Sequence, residues 1–365
     1  MKLLISTFGT RGDVQPYLAL AVGLHVAGHT VTLATSASYS KWIERYGIQT
    51  CPAPLDLQAI SRDRAVQAAL HSGNPLQRLR VIRGVFHDLR LQSVAAQDLI
   101  WQAAQSADCV IQSPTGCGAL EAAEVLGVPS CFAVPVPFAP TGAFPSFFQP
   151  LRRSLGMPVN RLTHRFAHAL LWRIMGRPMS THLRARLRLQ PLRSYAQLLT
   201  KCQQMKIQWL NGFSSHVVPK QADWSVDQQI TGYWFLDAPP DWQPSAALIQ
   251  FLRNGPPPIY IGFGSMIHHQ PQRQRDLVLR ALELSDARSV LVTGWGGSGE
   301  HIPAPNRFVI DDAPHDWLLP QMAAVVHHGG AGTTAAALRA GVPNVITPFA
   351  PNDQPAWAAR VVALE

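Results

Sequence analysis

A strand pattern that runs into a glycine-rich turn, near the C-terminus, contains the residue types best suited to chemistry. In Val325-Val-His-His-Gly-Gly-Ala-Gly-Thr-Thr334, apolar residues precede small ones, and an alanine-rich helical pattern follows. The first N–H groups of such a helix, with the positive end of its dipole, can bind a phosphate group. The alternative is a tight turn that only packs the helix on a sheet. The candidate phosphate contacts are Gly330, Ala331, Gly332, Thr333 and Thr334.

Two further polar stretches of the same half could complete this site. Ser265 ends a second glycine turn, Ile261-Gly-Phe-Gly-Ser265, which also follows a strand pattern. Asp353 and Gln354 follow a later strand pattern, and a carboxylate beside an amide suits the neighbouring hydroxyl groups of a sugar. Phosphate donors together with hydroxyl partners predict a pocket for a nucleotide sugar.

Two other nucleotide-dependent classes are not supported by the sequence. It contains no Gly-x-x-x-x-Gly-Lys-Ser/Thr motif, which argues against a Walker-type ATPase. The first turn, Gly9-Thr-Arg-Gly12, is not the Gly-x-Gly-x-x-Gly of dinucleotide-binding dehydrogenases. There is also no Asp-x-Asp motif and no clustered set of His, Cys and Asp, so we expect chemistry without a metal ion or a bound cofactor.

The tripeptide Arg11-Gly12-Asp13 lies near the start of the chain, in MKLLISTFGTRGDVQPYLAL. On an exposed loop it would suggest a cell-adhesion ligand, but adhesion requires export and we find no signal-peptide pattern. Thr10 and Asp13 have the spacing of a helix capping box, and Pro16 is tolerated in a first helical turn. The residues therefore predict that Asp13 stands at a helix start.

Taken in order, these motifs resemble the UDP-glycosyltransferase superfamily, and within it bacterial sterol-type glucosyltransferases and the enzymes that glycosylate polyketide and glycopeptide antibiotics. The segments that carry the resemblance are residues 7–16, 261–266, 293–297, 313–319, 327–334 and 353–354. The resemblance implies an α/β GT-B fold, with two Rossmann-like domains whose parallel sheets face each other across a cleft. It also implies a donor bound mainly by the C-terminal domain, an acceptor bound by the N-terminal one, and inversion at the anomeric carbon.

The resemblance assigns roles to individual residues. Asp13 matches the candidate general base of the antibiotic branch, so its carboxylate could act as a base, as a helix cap, or as both. The residues that would bind the donor are Ser265, His327 or His328, and Gly330 to Thr334 at the diphosphate, and Asp353 and Gln354 at the hexose. The resemblance implies UDP-glucose as the donor. Asp312 stands where plant members place a uracil-stacking tryptophan, so the choice between UDP and dTDP as the nucleotide stays open.

The elements that must position these residues form a repeated pattern. ADCVIQSPTGCGALEAAEVLGVPSCFAVPVPFAP, from Ala107, and AAVVHHGGAGTTAAALRAGVPNVITPFAP, from Ala323, each contain a strand, a small-residue turn, a helix, Gly-Val-Pro and a second strand. We therefore expect two α/β halves with parallel sheets. The predicted boundaries are an acceptor domain over 1–235, a proline-rich linker over 236–258 and a donor domain over 259–365. Family members usually continue past the Asp-Gln motif, so we expect a shortened donor domain.

Aromatic residues after a first-half strand suggest how an acceptor is bound. Phe138, Phe144, Phe147 and Phe148 lie close together in sequence, which favours an apolar acceptor such as a sterol, a lipid or a polyketide or flavonoid aglycone. The alternative is that some of these rings pack the domain. Two other functions remain open at this point: a non-catalytic nucleotide-sugar-binding protein, and a nucleotide-sugar epimerase on the same fold.

Composition and charge add two expectations. The chain has 365 residues, of which 47% are hydrophobic, and five scattered cysteines that predict reduced thiols in a cytoplasmic protein without a transmembrane helix. Its net charge is +9, and residues 151–193 alone contain ten arginines and neither Asp nor Glu. Phe166, Leu170 and Ile174 form an apolar stripe in that segment. It is either a solvated basic face or a peripheral contact with an anionic membrane, and we expect no nucleic-acid partner.

Overall fold

The computed structural model describes residues 1–57, 59, 75–148, 154–264, 271–292, 304–348 and 352–364. The chain divides into two compact units, Met1–Leu236 (unit 1) and Asp237–Glu365 (unit 2). The strands of unit 1 are β1 (Lys2–Ser6), β2 (Thr30–Ser36), β3 (Gln49–Ala53), β4 (Cys109–Gln112), β5 (Ser130–Val134), β6 (Gln208–Asn211) and β7 (Gln228–Ile230). Those of unit 2 are β8 (Ile259–Gly262), β9 (Ser289–Val292), β10 (Arg307–Ile310), β11 (Ala324–His327) and β12 (Asn344–Ile346).

Helices connect these strands. In unit 1 they are α1 (Arg11–Val26), α2 (Ser40–Glu44), α3 (Pro75–Ala104), α4 (Ala119–Leu126), α5 (Met157–Leu171), α6 (Pro178–Arg186) and α7 (Tyr195–Gln204). In unit 2 they are α8 (Ala246–Arg253), α9 (Pro271–Ser285), α10 (His315–Leu318), α11 (Ala331–Ala340) and α12 (Gln354–Val362). A π-helical turn, Trp172–Gly176, joins α5 to α6. Within the described ranges, no helix is both long enough and apolar enough to span a membrane.

The sheet of unit 1 is parallel, with the strand order β3-β2-β1-β4-β5-β6-β7 in the described residues. Its strands are apolar because helices cover both faces. In β1, for example, Leu4 packs into one buried cluster, while Leu3 and Ile5 pack into the cluster on the other face. All five cysteines are free thiols.

The sheet of unit 2 repeats this plan, with the parallel order β10-β9-β8-β11-β12. In unit 1, β1 lies between β2 and β4; in unit 2, β8 lies between β9 and β11. Ligands of such α/β sheets bind at the carboxyl ends of the strands, where the order reverses. The relevant edges are therefore the ends of β1 and β4 in unit 1, and the ends of β8 and β11 in unit 2.

The repeated sequence pattern corresponds to two β-α-β segments, β4-α4-β5 and β11-α11-β12. The helix of each segment ends at a glycine in the left-handed conformation, Gly127 with φ 67° and Gly341 with φ 68°. A side chain with a Cβ rarely adopts this backbone conformation, so Gly-Val-Pro ends the helix in both halves. The predicted α/β class, with one parallel sheet in each of two units, is thus confirmed.

Residues assigned by the sequence to a linker fold as part of unit 2. Ser245 caps α8, accepting a hydrogen bond from the Leu248 backbone at 3.2 Å. The Trp242 ring packs edge-on against Trp317, with 5.2 Å between the ring centroids. The proline clusters therefore define turns around a packed helix.

Candidate active site

Asp13 follows the turn that leaves β1, and a neighbouring strand fixes that turn. Thr115, just after β4, donates through Oγ1 to the Phe8 carbonyl at 2.6 Å. The same hydroxyl accepts from the Phe8 N–H at 3.3 Å. Helix α1 begins at Arg11, so Arg11 and Gly12 already belong to its first turn and the connecting turn is residues 7–10. This turn places Asp13 at the carboxyl end of β1, where the strand order reverses.

The Asp13 carboxylate makes hydrogen bonds through only one oxygen within the described residues. Oδ2 accepts from the Thr10 backbone N–H at 2.8 Å and from the Thr10 hydroxyl at 2.9 Å. The side chain keeps solvent-accessible surface, yet the surrounding protein desolvates it and raises its pKa. The hydrogen bonds from Thr10 oppose that rise. A carboxylate with a raised pKa is a stronger base than an ordinary aspartate, and Oδ1 is the oxygen with room for a further donor.

Gly9 allows this carboxylate to lie against the turn. Its φ is 149°, and an added Cβ would lie 2.4 Å from Asp13 Oδ2. A larger residue would therefore push the Asp13 side chain away from its hydrogen bonds to Thr10. Glycine at position 9 therefore leaves the space that the Asp13 carboxylate occupies.

In unit 2, the turn after β11 is built around His327. Its ring is fully buried, Nε2 lies 3.0 Å from Asn344 Oδ1, and Nδ1 accepts from the Gly329 N–H at 3.2 Å. These partners assign a neutral ring with its proton on Nε2, and burial lowers the pKa of His327 to about 4. His327 therefore stabilises the turn through both ring nitrogens. Asn344, which the sequence interpretation missed, fixes the ring; an Asn at the start of the next strand was its only signal.

The His328 ring lies between the two glycine turns of unit 2. A Cβ on Gly264 would lie 2.7 Å from its Cε1, and one on Gly330 would lie 2.6 Å from its Nε2. The ring is 8% exposed, and burial lowers its pKa to about 4. The glycines thus bring the ends of β8 and β11 onto one imidazole. Ser265, the next residue after Gly264, lies outside the described residues.

The start of α11 presents backbone donors beside this ring. Gly330 is the N-cap, and the first α11 N–H that bonds within the helix belongs to Thr334, at 3.0 Å from the Gly330 carbonyl. The three preceding N–H groups, of Ala331, Gly332 and Thr333, are the donors that an α-helix leaves unbonded at its start. The Thr334 hydroxyl donates to the Gly330 carbonyl at 2.9 Å and is fully buried, so it supports the turn.

Asp353 and Gln354 are packed against the same turn. A Cβ on Gly329 would lie 3.0 Å from the Gln354 carbonyl oxygen, which shows how closely the two segments approach. Asp353 is half-buried, and its Oδ2 accepts from the Trp357 indole N–H at 2.9 Å. Gln354 is 1% exposed at the first position of α12. The structure therefore brings the predicted hexose-binding pair to the glycine turn, with Trp357 holding one carboxylate oxygen.

The predicted acceptor phenylalanines differ in exposure. Phe138 is 6% exposed and packs against His168 and Trp209, with ring centroids 4.7 and 6.4 Å apart. Phe147 is 3% exposed and contacts Phe144, which is itself half-buried. Phe138 and Phe147 thus pack the interior of unit 1, whereas Phe144 keeps exposed surface. Their contact with an acceptor stays a prediction.

Two segments of the chain match known family domains. Residues 3–145 match the glycosyltransferase family 28 N-terminal domain, and residues 280–365 match the erythromycin biosynthesis protein CIII-like C-terminal domain. The chain therefore carries a glycosyltransferase family 28 N-terminal domain and an erythromycin biosynthesis protein CIII-like C-terminal domain. The predicted resemblance is confirmed.

Similar full-length proteins are sterol 3-beta-glucosyltransferases. UGT80B1 of Arabidopsis thaliana is 33% identical over 99% of this chain, which spans 58% of that protein. An enzyme of the same name from Leptosphaeria maculans is 34% identical over 99% of this chain, which spans 25% of it. The chain thus spans little more than half of the plant relative and a quarter of the fungal one.

Solved structures with the same fold include two glycosyltransferases. SnogD from Streptomyces nogalater has a TM-score of 0.59 and 21% identity, over all of this chain and 85% of SnogD. VinC, solved in complex with dTDP, has a TM-score of 0.56 and 20% identity, with the same coverage. These structural neighbours confirm the predicted GT-B fold.

In the described ranges of this chain, no three His, Cys, Asp or Glu side chains cluster as metal ligands would.

Acidification is expected to weaken unit 2 through His327. An unfolded histidine titrates near pH 6.5, and the pKa of His327 is lowered to about 4, so the stability present above pH 6.5 is lost as the pH falls towards 4. A His327→Asn variant should unfold about 1–3 kcal/mol more easily at pH 7.5, since it leaves buried partners unsatisfied. The difference in unfolding free energy between this variant and the wild type should be smaller at pH 4.5 than at pH 7.5. Urea unfolding at both pH values measures this, with the exposed His25→Asn as control; a deficit independent of pH would contradict it.

Proposed function

We propose that this chain is an inverting, metal-independent glycosyltransferase that transfers a hexose from a nucleoside diphosphate sugar to a hydroxyl group of an apolar acceptor. UDP-glucose is the proposed donor, and a sterol is the first acceptor to test, because the similar full-length proteins are sterol 3-beta-glucosyltransferases. A lipid or a polyketide or flavonoid aglycone is the broader acceptor class. The observation that carries the proposal is the start of α11, where the first N–H groups of the helix follow a glycine turn that lies against His328 and Gln354.

The donor would bind through this start of α11. The N–H groups of Ala331, Gly332 and Thr333, with the helix dipole, would contact the diphosphate, and the His328 ring would border it. At neutral pH the ring is uncharged, because burial lowers its pKa to about 4. Asp353 and Gln354 would accept from and donate to the hexose hydroxyls.

Transfer would occur in a single displacement. The hydroxyl oxygen of the acceptor forms a bond to the anomeric carbon, on the face opposite the diphosphate. Asp13 Oδ1 accepts the proton of that hydroxyl. The bond from that carbon to the diphosphate oxygen breaks, and the nucleoside diphosphate leaves with the electron pair. The helix N–H groups stabilise the charge that develops on this leaving group, the role that a metal ion has in other transferases.

Incubation with defined substrates tests the proposal. The protein is incubated with UDP-glucose alone, then with a sterol and flavonoid panel, with dTDP-glucose in parallel and EDTA throughout, and products are identified by mass spectrometry. We expect a glucoside that forms only when an acceptor is present. Isomerised nucleotide sugar without an acceptor would instead identify an epimerase, and donor binding without any product would identify a non-catalytic binder. Loss of product in EDTA would contradict metal independence alone.

The proposal extends to peripheral contact with an anionic membrane through the basic segment 151–193. Its described part exposes seven large apolar side chains, which lie on α5 or within three residues of its ends: Leu155, Met157, Val159, Leu162, Phe166, Leu170 and Ile174. Exposed arginines such as Arg165 and Arg173 lie on the same elements. An apolar stripe with flanking arginines is the pattern of a helix that lies in the surface of an anionic bilayer. A sterol acceptor would be met at that surface.

A further inference from the structure

A pocket lined by three arginines lies in unit 1, among residues that neither the donor nor the acceptor proposal uses. Its volume is about 260 Å³, and its walls include Arg177, Arg184 and Arg193 with Thr181 and Leu192. The walls come from α6 along its length, from Arg177 just before it, and from the segment that precedes α7. The pocket therefore adjoins the π-helical turn at the end of the apolar stripe.

Arg184 forms the buried wall of this pocket. Its side chain is 2% exposed, Nη1 pairs with Glu121 at 3.3 Å and with Glu124 at 3.0 Å, and Nε donates to the Gln190 carbonyl at 2.6 Å. Nη2 is buried and has no hydrogen-bond partner in the part of the chain that the structure describes. A buried guanidinium N–H without an acceptor is costly, so a ligand that supplies an acceptor would be favoured here.

The charges around the pocket leave a positive excess. Two carboxylates, Glu121 and Glu124, face two cations, Arg184 and Lys201, whose Nζ lies 2.9 Å from Glu124. Burial raises the pKa of Glu121, while the hydrogen bond from Ser180 and the charge of Arg184 oppose that rise. The other two wall arginines, 177 and 193, are exposed and form no ion pair within the described ranges. The pocket thus holds two positive charges that no carboxylate of the described residues balances.

We propose that this pocket binds a phosphate group. The two unbalanced arginines match the charge of a phosphate dianion, and their forked N–H groups match its oxygens, while Arg184 Nη2 would gain its missing acceptor. Ser180 and Thr181 line the pocket but supply no hydroxyl donor to the phosphate. Their hydroxyls already donate to Glu121 and to the Arg177 carbonyl, each at 2.6 Å. Ile174, 44% exposed, lies three residues before Arg177. That neighbour favours the headgroup of a phospholipid as the source of the phosphate.

Two binding measurements on the full chain test this site and separate the sources of phosphate. One is titration with inorganic phosphate, and the other is co-sedimentation with phosphatidylcholine vesicles with or without phosphatidic acid. The Arg177→Gln/Arg193→Gln variant should bind phosphate-bearing probes roughly tenfold more weakly. The matched control, Arg90→Gln/Arg253→Gln, removes two exposed charges that lie outside the basic segment 151–193 and outside the pocket, and it should lose much less.

The outcomes distinguish this site from the proposed transfer reaction. Binding of vesicles with phosphatidic acid, lost in the pocket variant, supports the site with a lipid as the source; binding of inorganic phosphate alone, lost in the same variant, supports it with a soluble source. Equal losses in the pocket variant and the control would overturn it in favour of general charge attraction. Absence of binding to either probe would overturn it as well. None of these results depends on glycosyl transfer, which is assayed separately with a water-soluble acceptor.

Discussion

Asp13→Asn is expected to lower kcat for glycosyl transfer about 100-fold to 1000-fold while the protein stays folded, since a positioned general base contributes on that scale. Asparagine keeps the size of the side chain and an oxygen that can accept from Thr10, but it cannot take a proton from the acceptor. KM for the donor should change little, because the proposed donor contacts lie in unit 2. The measurement is steady-state kinetics with UDP-glucose and the best acceptor of the panel, with the melting temperature as the check on folding.

The matched control for this variant is Thr10→Ala. It removes the hydroxyl that donates to Asp13 Oδ2 at 2.9 Å but leaves the carboxylate in place. Loss of this helix-capping contact should cost about 1 kcal/mol of stability. Because the hydrogen bond from Thr10 lowers the pKa of Asp13, its removal should shift the acid limb of the kcat profile to higher pH. Full transfer by Asp13→Asn would leave Asp13 as a helix cap and would remove it from the mechanism.

Much of the fold could be predicted because its determinants are local. Leu3 to Ile5 are continuously apolar, as buried parallel strands are, and Gly28 follows the end of α1. The two Gly-Val-Pro segments mark equivalent helix ends because each needs a left-handed backbone at its glycine. Such signals lie within a few residues of the structure they determine, so a single sequence is sufficient to find them.

The roles of side chains at the site depend on residues far apart in sequence and could be predicted only in part. The sequence offered His327 or His328 as diphosphate contacts without a choice between them. The Asn344 side chain and the Gly329 N–H satisfy both ring nitrogens of His327, and His328 is the ring that lies between the glycine turns. A diphosphate contact by either ring stays a prediction. The contact between Phe138 and Trp209 could not be predicted either, because Trp209 lies on β6, far along the chain. Whether Phe138 also contacts an acceptor stays a prediction.

Gly329→Ala is expected to have the second large effect, on the stability of unit 2. Gly329 has φ 93°, and a Cβ there would lie 2.7 Å from Ile346 Cγ2 and 3.0 Å from the Gln354 carbonyl. A left-handed alanine costs roughly 1–2 kcal/mol, and forcing apart packed atoms costs about 1–3 kcal/mol more. Relief of the contact would move the turn away from α12, which carries the Asp353-Gln354 pair. Urea unfolding should therefore show a loss of several kcal/mol, and KM for the donor should rise.

Gly332→Ala separates this effect from the mere loss of a glycine. Gly332 lies in the first turn of α11, is exposed, and an added Cβ would find no atom within 4 Å. Alanine is the better helix former, so its free energy of unfolding should stay the same or rise by up to about 1 kcal/mol. Equal stability of the two variants would mean that Gly329 is not held by Ile346 and Gln354. The turn would then not be what positions the Asp353-Gln354 pair, and the proposed hexose contacts would lose their structural support.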